Sequence, residues 1–571
     1  MVGDATCAPV GVTEIPEGFA LEESTGWGMR AVLPSAPCEG ATIALLGTSE
    51  CVAIDEGAEA FPPKGASIVV RKSGPVTTIA DALGQAGPRD TIAIDEGEFE
   101  LPPSIDKSIT LVGRGAEKTS LRGLEFGVRV PSDSKVTVKS VAIVGSPKAS
   151  VIADKGAFVT LDRVYVKAMQ NGAMVANRAS IAATRTVFEG PTSPRNPNAA
   201  TSGLYPSYEG VATLDRVEIR GFQLGVLATS VGSKVTITSS VIHEQRALDA
   251  EPEALSVLAA FTGAKLLVER SHIESAPGRI AMIGAARLDG SSDPTSKDDP
   301  PASLEVKHST LVHANEPREA GSAIDTIDGA SVTLDGVSLH HECFVGIGSG
   351  EGSTVTVKNS TITNGPTKNN ARIALSGLSR GNFVVTSSAL VGTAQFAILL
   401  DGASTADVEG SLVTGNREIG VKDYGLFMGA AQAISLGRSA RADIRDSAFV
   451  GNQGSSVFLQ EGSAQIDRAV FTTTTATTGS LSAAITAIDA KLAVRNSILA
   501  KNDRALAIRH GRALLRDSTV ADHKEALRLE GLALFETSDP LDDAEDQKLV
   551  SSRTTFARNA IHLVPKALSD E

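Results

Sequence analysis

The sequence is poor in rings. Aromatic residues are 4% of its 571 positions and tryptophan occurs once, so a core built around large aromatic side chains is excluded. No run of eighteen apolar residues occurs, which excludes a membrane-spanning helix of ordinary length. No basic block stands out, and 53 Lys and Arg face 67 Asp and Glu for a net charge of -14. A nucleic acid or an acidic membrane surface would repel such a chain. The opening residues, Met-Val-Gly-Asp-Ala-Thr-Cys, lack the charged and then apolar regions of a signal peptide.

Cysteine is scarce but unevenly placed. Cys7, Cys38 and Cys51 fall in the first 60 residues, and Cys343 stands alone. The same 60 residues hold ten acids against one base, Arg30, a net of -9 that leaves -5 for the other 511 positions. This break divides the chain into an acidic, loop-rich segment over 1–65 and a larger domain over 66–571. Cys38 and Cys51 enclose a short loop and are expected to form a disulfide. Their spacing is not that of a zinc pair. An acidic cap stapled by a disulfide fits an exported protein, extracellular or in the cell envelope, whose leader has been removed.

What the sequence has in quantity is glycine, at 54 residues, among small and β-branched neighbours. From Val136 onward one pattern recurs: apolar, small, apolar, charged, variable, small, variable, apolar. It reads VTVKSVAI at Val136, VTLDRVYV at Val159, VTITSSVI at Val235, VTVKNSTI at Val355, ADIRDSAF at Ala442 and ALLRDSTV at Ala513, among others. Starts lie 21 to 38 residues apart. A floor near one coil length with irregular excess is the mark of a solenoid with loops inserted into some turns. Within a coil the period is two, so Val136 and Val138 share a face that Thr137 does not. A second short strand ends at Ile143 or Val166. A third follows as an apolar triplet such as Val226-Leu227-Ala228 or Ile398-Leu399-Leu400. Three short strands per coil, each paired with its equivalent one coil away, satisfy the backbone and stack β-branched residues into one long core. A leucine-rich repeat has a similar period but needs leucine to dominate, and here Val, Ile, Ala and Phe share the apolar positions. Asn416, Asn452 and Asn502 recur ten residues after the first apolar position, with Asn364 and Asn315 one residue off. They read as an asparagine ladder at a tight turn.

Residues 66–124 depart from the repeat. The run TTIADALGQAGPRDTIAIDEGEFE followed by IDKSITLVGRG holds a short helix, about Thr77 to Gln85, between strands. With the coils behind it, this run resembles the opening of proteins of the pectin-lyase-like superfamily. The acidic stretch GWGMRAVLPSAPCEGATIALLGTSECV is similar to the leaders of large bacterial exported β-helix proteins. The resemblance covers roughly 66–565. It implies a right-handed single-stranded parallel β-helix, three short strands per coil, with a short N-terminal capping helix and a small Cys-containing N-terminal segment. Ile79, Ala82 and Leu83 would face the core that the helix covers.

That superfamily holds polysaccharide lyases, glycoside hydrolases, esterases and non-catalytic surface proteins, and the fold does not choose among them. The ordered polygalacturonase motifs are missing: Asp298-Asp299 sits in a polar stretch and His510-Gly511 lacks its leading glycine. A pectate-lyase calcium cluster is missing too, and PTSPRNP around Arg195 does not fit its arginine segment. The outward column of the first strand is the place to look for a ligand face. Down it, Asp407 and Asp443 fall on consecutive coils, roughly 4.8 Å apart. Like charges so placed require compensation by a cation, a shared proton or the nearby Arg445. A pair at roughly 5 Å would suit a retaining glycosidase. His340-His341-Glu342 is a poor metal site, because adjacent strand residues point to opposite faces. No cofactor is identified, and calcium is the cation such a carboxylate pair would take. Two insertions carry rings that could stack on sugars: one over Glu189–Gly210 with Arg195, Tyr205 and Tyr208, another over Arg417–Gly429 with Tyr424 and Phe427. The expectation is a protein binding a polysaccharide or a surface protein along its side without catalysis. The alternatives are a polysaccharide lyase or glycoside hydrolase using Asp407, Asp443 and Arg445, or a structural spacer.

Overall fold

The computed structural model describes residues 9–23, 26–191, 201–243, 256–275, 281–286, 300–313, 322–365, 372–393, 395–417, 432–475, 482–530 and 548–566. The chain forms two units. One comprises Ile15–Ala20 and Arg30–Ala314, and the other Met1–Glu14, Leu21–Met29 and Asn315–Glu571. They are called here the N-terminal and C-terminal units. Each is a stack of the same three-strand coil, with strands pairing in parallel to their equivalents in neighbouring coils.

Alternation sets the faces. At the start of the strand Lys135–Val144, Val136 and Val138 are fully buried and Thr137 is half-buried. Register then stacks like on like. In the N-terminal unit Thr137 pairs with Thr160, and Thr160 with Ala182. In the C-terminal unit Thr333 pairs with Thr356, and Asp407 with Asp443. The outward column expected from the repeat is reproduced within each unit.

The turns explain the rest of the motif. Its fifth, variable position is left-handed in coil after coil, at Ser140, Arg163, Arg216 and Ser239, and again at Asn359, Asp446 and Asn496. One such residue swings the chain from the first strand to the second. The small residue that follows is most often serine, and its hydroxyl links coils. In the C-terminal unit Ser388 N–H donates to Ser411 Oγ at 3.2 Å, while Ser411 Oγ donates to Glu409 O at 2.9 Å. Ser360, Ser447, Ser497 and Ser518 serve in the same way. Ser411→Ala leaves a buried donor without its acceptor, so it is expected to cost about 1–3 kcal/mol. Faster hydrogen exchange at the Ser388 amide is the local readout, and unchanged exchange there would count against the ladder.

At the second turn the asparagine ladder is present. Asn416 N–H donates to Asn452 Oδ1 at 3.1 Å, and Asn452 Nδ2 to Val413 O at 3.2 Å. Thr474 N–H donates to Asn502 Oδ1 at 2.8 Å. Asn559 continues the series and His523 takes one rung. The left-handed residue is the one before each rung, Gly415, Gly451 and Lys501, so asparagine is used for its amide rather than for its tolerance of that conformation. Asn364 makes no such bond: among the described residues both its side-chain polar atoms lack a partner. Asn315 lies outside the described residues.

The helix spans Ile79–Gln85. Thr78 caps it by accepting from Asp81 N–H at 3.0 Å, and the Lys107 ammonium donates to the Leu83 and Ala86 carbonyls at its other end. Ile79 and Ala82 are buried as expected, while Leu83 is half-buried.

Candidate functional site

The first-strand face of the C-terminal unit is built from three adjacent rows. The central row, in register, is Asp407, Asp443, Gln465, Ala493, Leu514. One flank carries Thr405, Arg441, Ser463, Lys491 and Arg512. The other carries Glu409, Arg445, Asp467, Arg495 and Arg516. The rows follow directly from period-two alternation, since residues i and i+2 of one strand project from the same face.

Asp407 and Asp443 sit opposite each other, and arginine meets both. Arg445 Nη2 donates to both oxygens of Asp407, at 2.8 and 2.9 Å. Arg441 Nη2 donates to those of Asp443, at 3.3 and 3.1 Å. Arg445 also reaches Glu409 at 3.5 Å. The hydrogen bond and charge of Asp407 hold the Arg445 guanidinium above its usual range. These side chains are well exposed, so the pairs are screened and individually weak.

Two coils further, the character of the face changes. Ala493 and Leu514 are outward residues yet only 7% and 5% exposed, and they touch each other. They floor a groove of about 230 Å³ edged by Arg441, Lys491 and Arg512. Among the described residues neither Lys491 nor Arg512 has a carboxylate partner. On the opposite flank the buried Arg495 Nε has no hydrogen-bond partner among the described residues.

The N-terminal unit holds a different cluster. Cys38 and Cys51 are disulfide-bonded. The loop they close and the residues just after it lie on the outward face of the second strands, where Ala41, Ile43 and Ile54 pack on Ala142, Tyr165 and Val187. Beneath it Glu218 is fully buried and Arg220 is 3% exposed. Glu218 accepts from Ala44 N–H at 2.7 Å and from Arg220 Nη1 at 3.0 Å, with His243 Nε2 at 2.8 Å. Arg220 Nη2 donates to Glu189 and to Gly40 O, both at 2.9 Å. Burial works against the Glu218 charge, but His243, Arg220 and the Ala44 amide together hold its carboxyl below the usual range. Burial and the neighbouring Glu189 push the Tyr165 phenol up. Glu218 and Arg220 are two apart on one strand, and Glu189, Arg220 and His243 share a register column. That same-face pairing follows from the sequence. The cover over it does not, because the covering segment has no period.

The other residues expected to act lie apart from both clusters. Tyr205 is within the strand Ser202–Pro206, half-buried beside Met174, so the insertion is shorter than the spacing implies. Tyr208 stands on the turn after it, 66% exposed. Arg195, Tyr424 and Phe427 lie outside the described residues, as does Cys7. His341 is buried and His340 half-exposed, on opposite faces. Cys343 is buried, which pushes its thiol up to about 12. Among the described residues no group of three His, Cys, Asp or Glu could hold a metal ion, and no helix is long and apolar enough to cross a membrane.

Coil, turn and capping helix together define a parallel β-helix. No protein-family model matches the chain, and no curated protein does. Among solved structures, similar ones include the catalytic domain of a GH87 α-1,3-glucanase, at 12% identity and a TM-score of 0.33 over 63% of this chain and 67% of that one. Pectate lyase Pel9A matches at 9% and 0.29 over 53% and 80%. The PL6 alginate lyase AlyGC matches at 9% and 0.26 over 84% and 98%. At these values the likeness is one of coil architecture and carries nothing about activity.

Proposed function

We propose that this protein binds a glycan chain bearing acidic groups along the first-strand face of its C-terminal unit, without catalysis. The observation behind this reading is the groove in which Lys491 and Arg512, free of carboxylate partners among the described residues, flank the apolar floor of Ala493 and Leu514. Cations on successive coils meet acidic groups repeated along a polymer. Arginine engagement of both Asp407 and Asp443 favours binding over chemistry, since each carboxylate already has a cationic partner. An extracellular or cell-envelope location belongs to the same reading and is supported by the disulfide.

The test uses polygalacturonate and dextran sulfate, with neutral dextran as control. Binding to at least one acidic polymer is expected, weakening as salt rises. The double variant Lys491→Glu/Arg512→Glu should lose at least about tenfold in affinity, the loss of one or two exposed charge contacts. Equal affinity in the variant sinks the reading. The register pair Asp407 and Asp443 supplies the rival, a polysaccharide lyase or hydrolase. Turnover of a glycan panel that disappears in Asp407→Ala or Asp443→Ala would establish it instead.

A further inference from the structure

A second site stands on the N-terminal unit, at the turns leading from the third strand of one coil to the first strand of the next. These turns run left-handed, and several end on glycine: Gly156, Gly232 and Gly263. Two adjacent ones do not. Asn177-Arg178 has φ of 54° and 64°, and Tyr208-Glu209 has 48° and 63°. Left-handed corners of this fold accept many residue types, so what sets these two turns apart is the long side chain each carries where the neighbouring turns carry glycine.

The side chains at these two turns face a common space. Arg178 Nε bonds Glu209 Oε2 at 2.7 Å across the coils, and Tyr208 is 66% exposed beside them. All belong to a cleft of about 820 Å³ that passes from Asp133 and Lys155 to Thr262. Six coils contribute, so the cleft is roughly 24 Å long at strand spacing. Its charged lining is two acids, Asp133 and Glu209, against two bases, Lys155 and Arg178, a net of zero. Hydroxyls of Thr229, Ser230 and Thr262 add neutral hydrogen-bonding groups.

We propose that this cleft binds an uncharged oligosaccharide, with Tyr208 as the stacking plate. A balanced lining gives no preference to an ionic polymer. A linear cleft over several coils fits a chain rather than a compact ligand, and an exposed ring amid hydroxyl and amide partners matches the two surfaces of a pyranose. This site shares no residue with the cationic groove of the C-terminal unit, so either proposal can fail alone.

Isothermal titration of the full chain with cellohexaose, laminarihexaose, maltohexaose, xylohexaose and mannohexaose tests it. At least one should bind, with affinity falling about tenfold or more in Tyr208→Ala and held within about threefold in Tyr208→Trp, which keeps a stacking face. Tyr208→Asn places a residue that tolerates the left-handed turn, as Asn177 already does. It should lose binding while melting no lower than the parent. Absence of binding by every hexasaccharide at about 1 mM overturns the proposal. So does an unchanged affinity in Tyr208→Ala, or a Tyr208→Asn chain that melts lower, since the ring would then be serving the fold.

Discussion

Glu218→Ala is expected to destabilise the docked Cys38–Cys51 loop by at most about 3–5 kcal/mol, the cost of removing one partner from a buried ion pair, with Glu189 left as the carboxylate of Arg220. Arg220 is 3% exposed and would keep its charge in a space that water does not reach. The Ala44 amide and His243 would lose their acceptor at the same moment. Replacing both charges together, as Glu218→Met with Arg220→Met, removes the buried cation along with its buried partner and should cost less. The effect is local, so proteolysis or hydrogen exchange over residues 33–56 reports it better than a global melt. Equal protection of that stretch in parent and Glu218→Ala would refute the assignment. The pH dependence has a definite sign. Because Glu218 is held below its usual range, its contribution is fully present above the unfolded value of about 4.3 and is lost as pH falls through the folded value.

This cluster also marks what the sequence can and cannot disclose. The coils are legible because stacking forces one pattern to repeat: Val136 and Val138 inward, Thr137 outward, one serine at the corner. Any slip by a single residue would reverse the faces, so the register of Asp407 with Asp443 is readable without coordinates. The capping helix is legible from Thr78 and Asp81 ahead of an apolar pair. The segment over 33–56 is not. It has no period, and it is held by backbone groups such as Gly40 O and Ala44 N, which carry no side-chain signature. The arginine partners of the Asp pair are half legible. Arg445 stands out beside them in the repeat, whereas Arg441 emerges only as the residue two before Asp443 on the same face. The cationic groove escapes a reading of the central column, because Lys491 and Arg512 belong to the row beside it.

His523 gives the second large effect. It occupies the rung where neighbouring coils use Asn502 and Asn559, and it is 3% exposed. Its Nδ1 accepts from Asn502 N–H at 3.1 Å and its Nε2 donates to Leu499 O at 2.9 Å. His523→Leu keeps the bulk but orphans both backbone groups, and at about 1–3 kcal/mol for each the rung should lose about 2–6 kcal/mol. Burial lowers the His523 pKa, while its hydrogen bonds at Asn502 and Leu499 and the charge of Asp522 oppose the shift in part. Protonation would turn Nδ1 from acceptor of the Asn502 N–H into donor to Asn502 O, also 3.1 Å away, and leave that N–H without its acceptor. For a depressed histidine the stabilising contribution is complete above the unfolded value of about 6.5 and is lost as pH falls through the folded value, by at most about 1.4 kcal/mol per pH unit. The protection of the Asn502 amide, its exchange relative to the intrinsic rate at each pH, should therefore fall as the medium is acidified below that point. His523→Asn installs the residue used on the adjacent rungs, with an acceptor and a donor but no titration. Its protection at Asn502, taken relative to the intrinsic rate, should match the parent at about pH 8 to within about 1 kcal/mol and stay flat on acidification. If that variant loses protection on acidification as the parent does, the proton binds elsewhere and His523 is an ordinary rung.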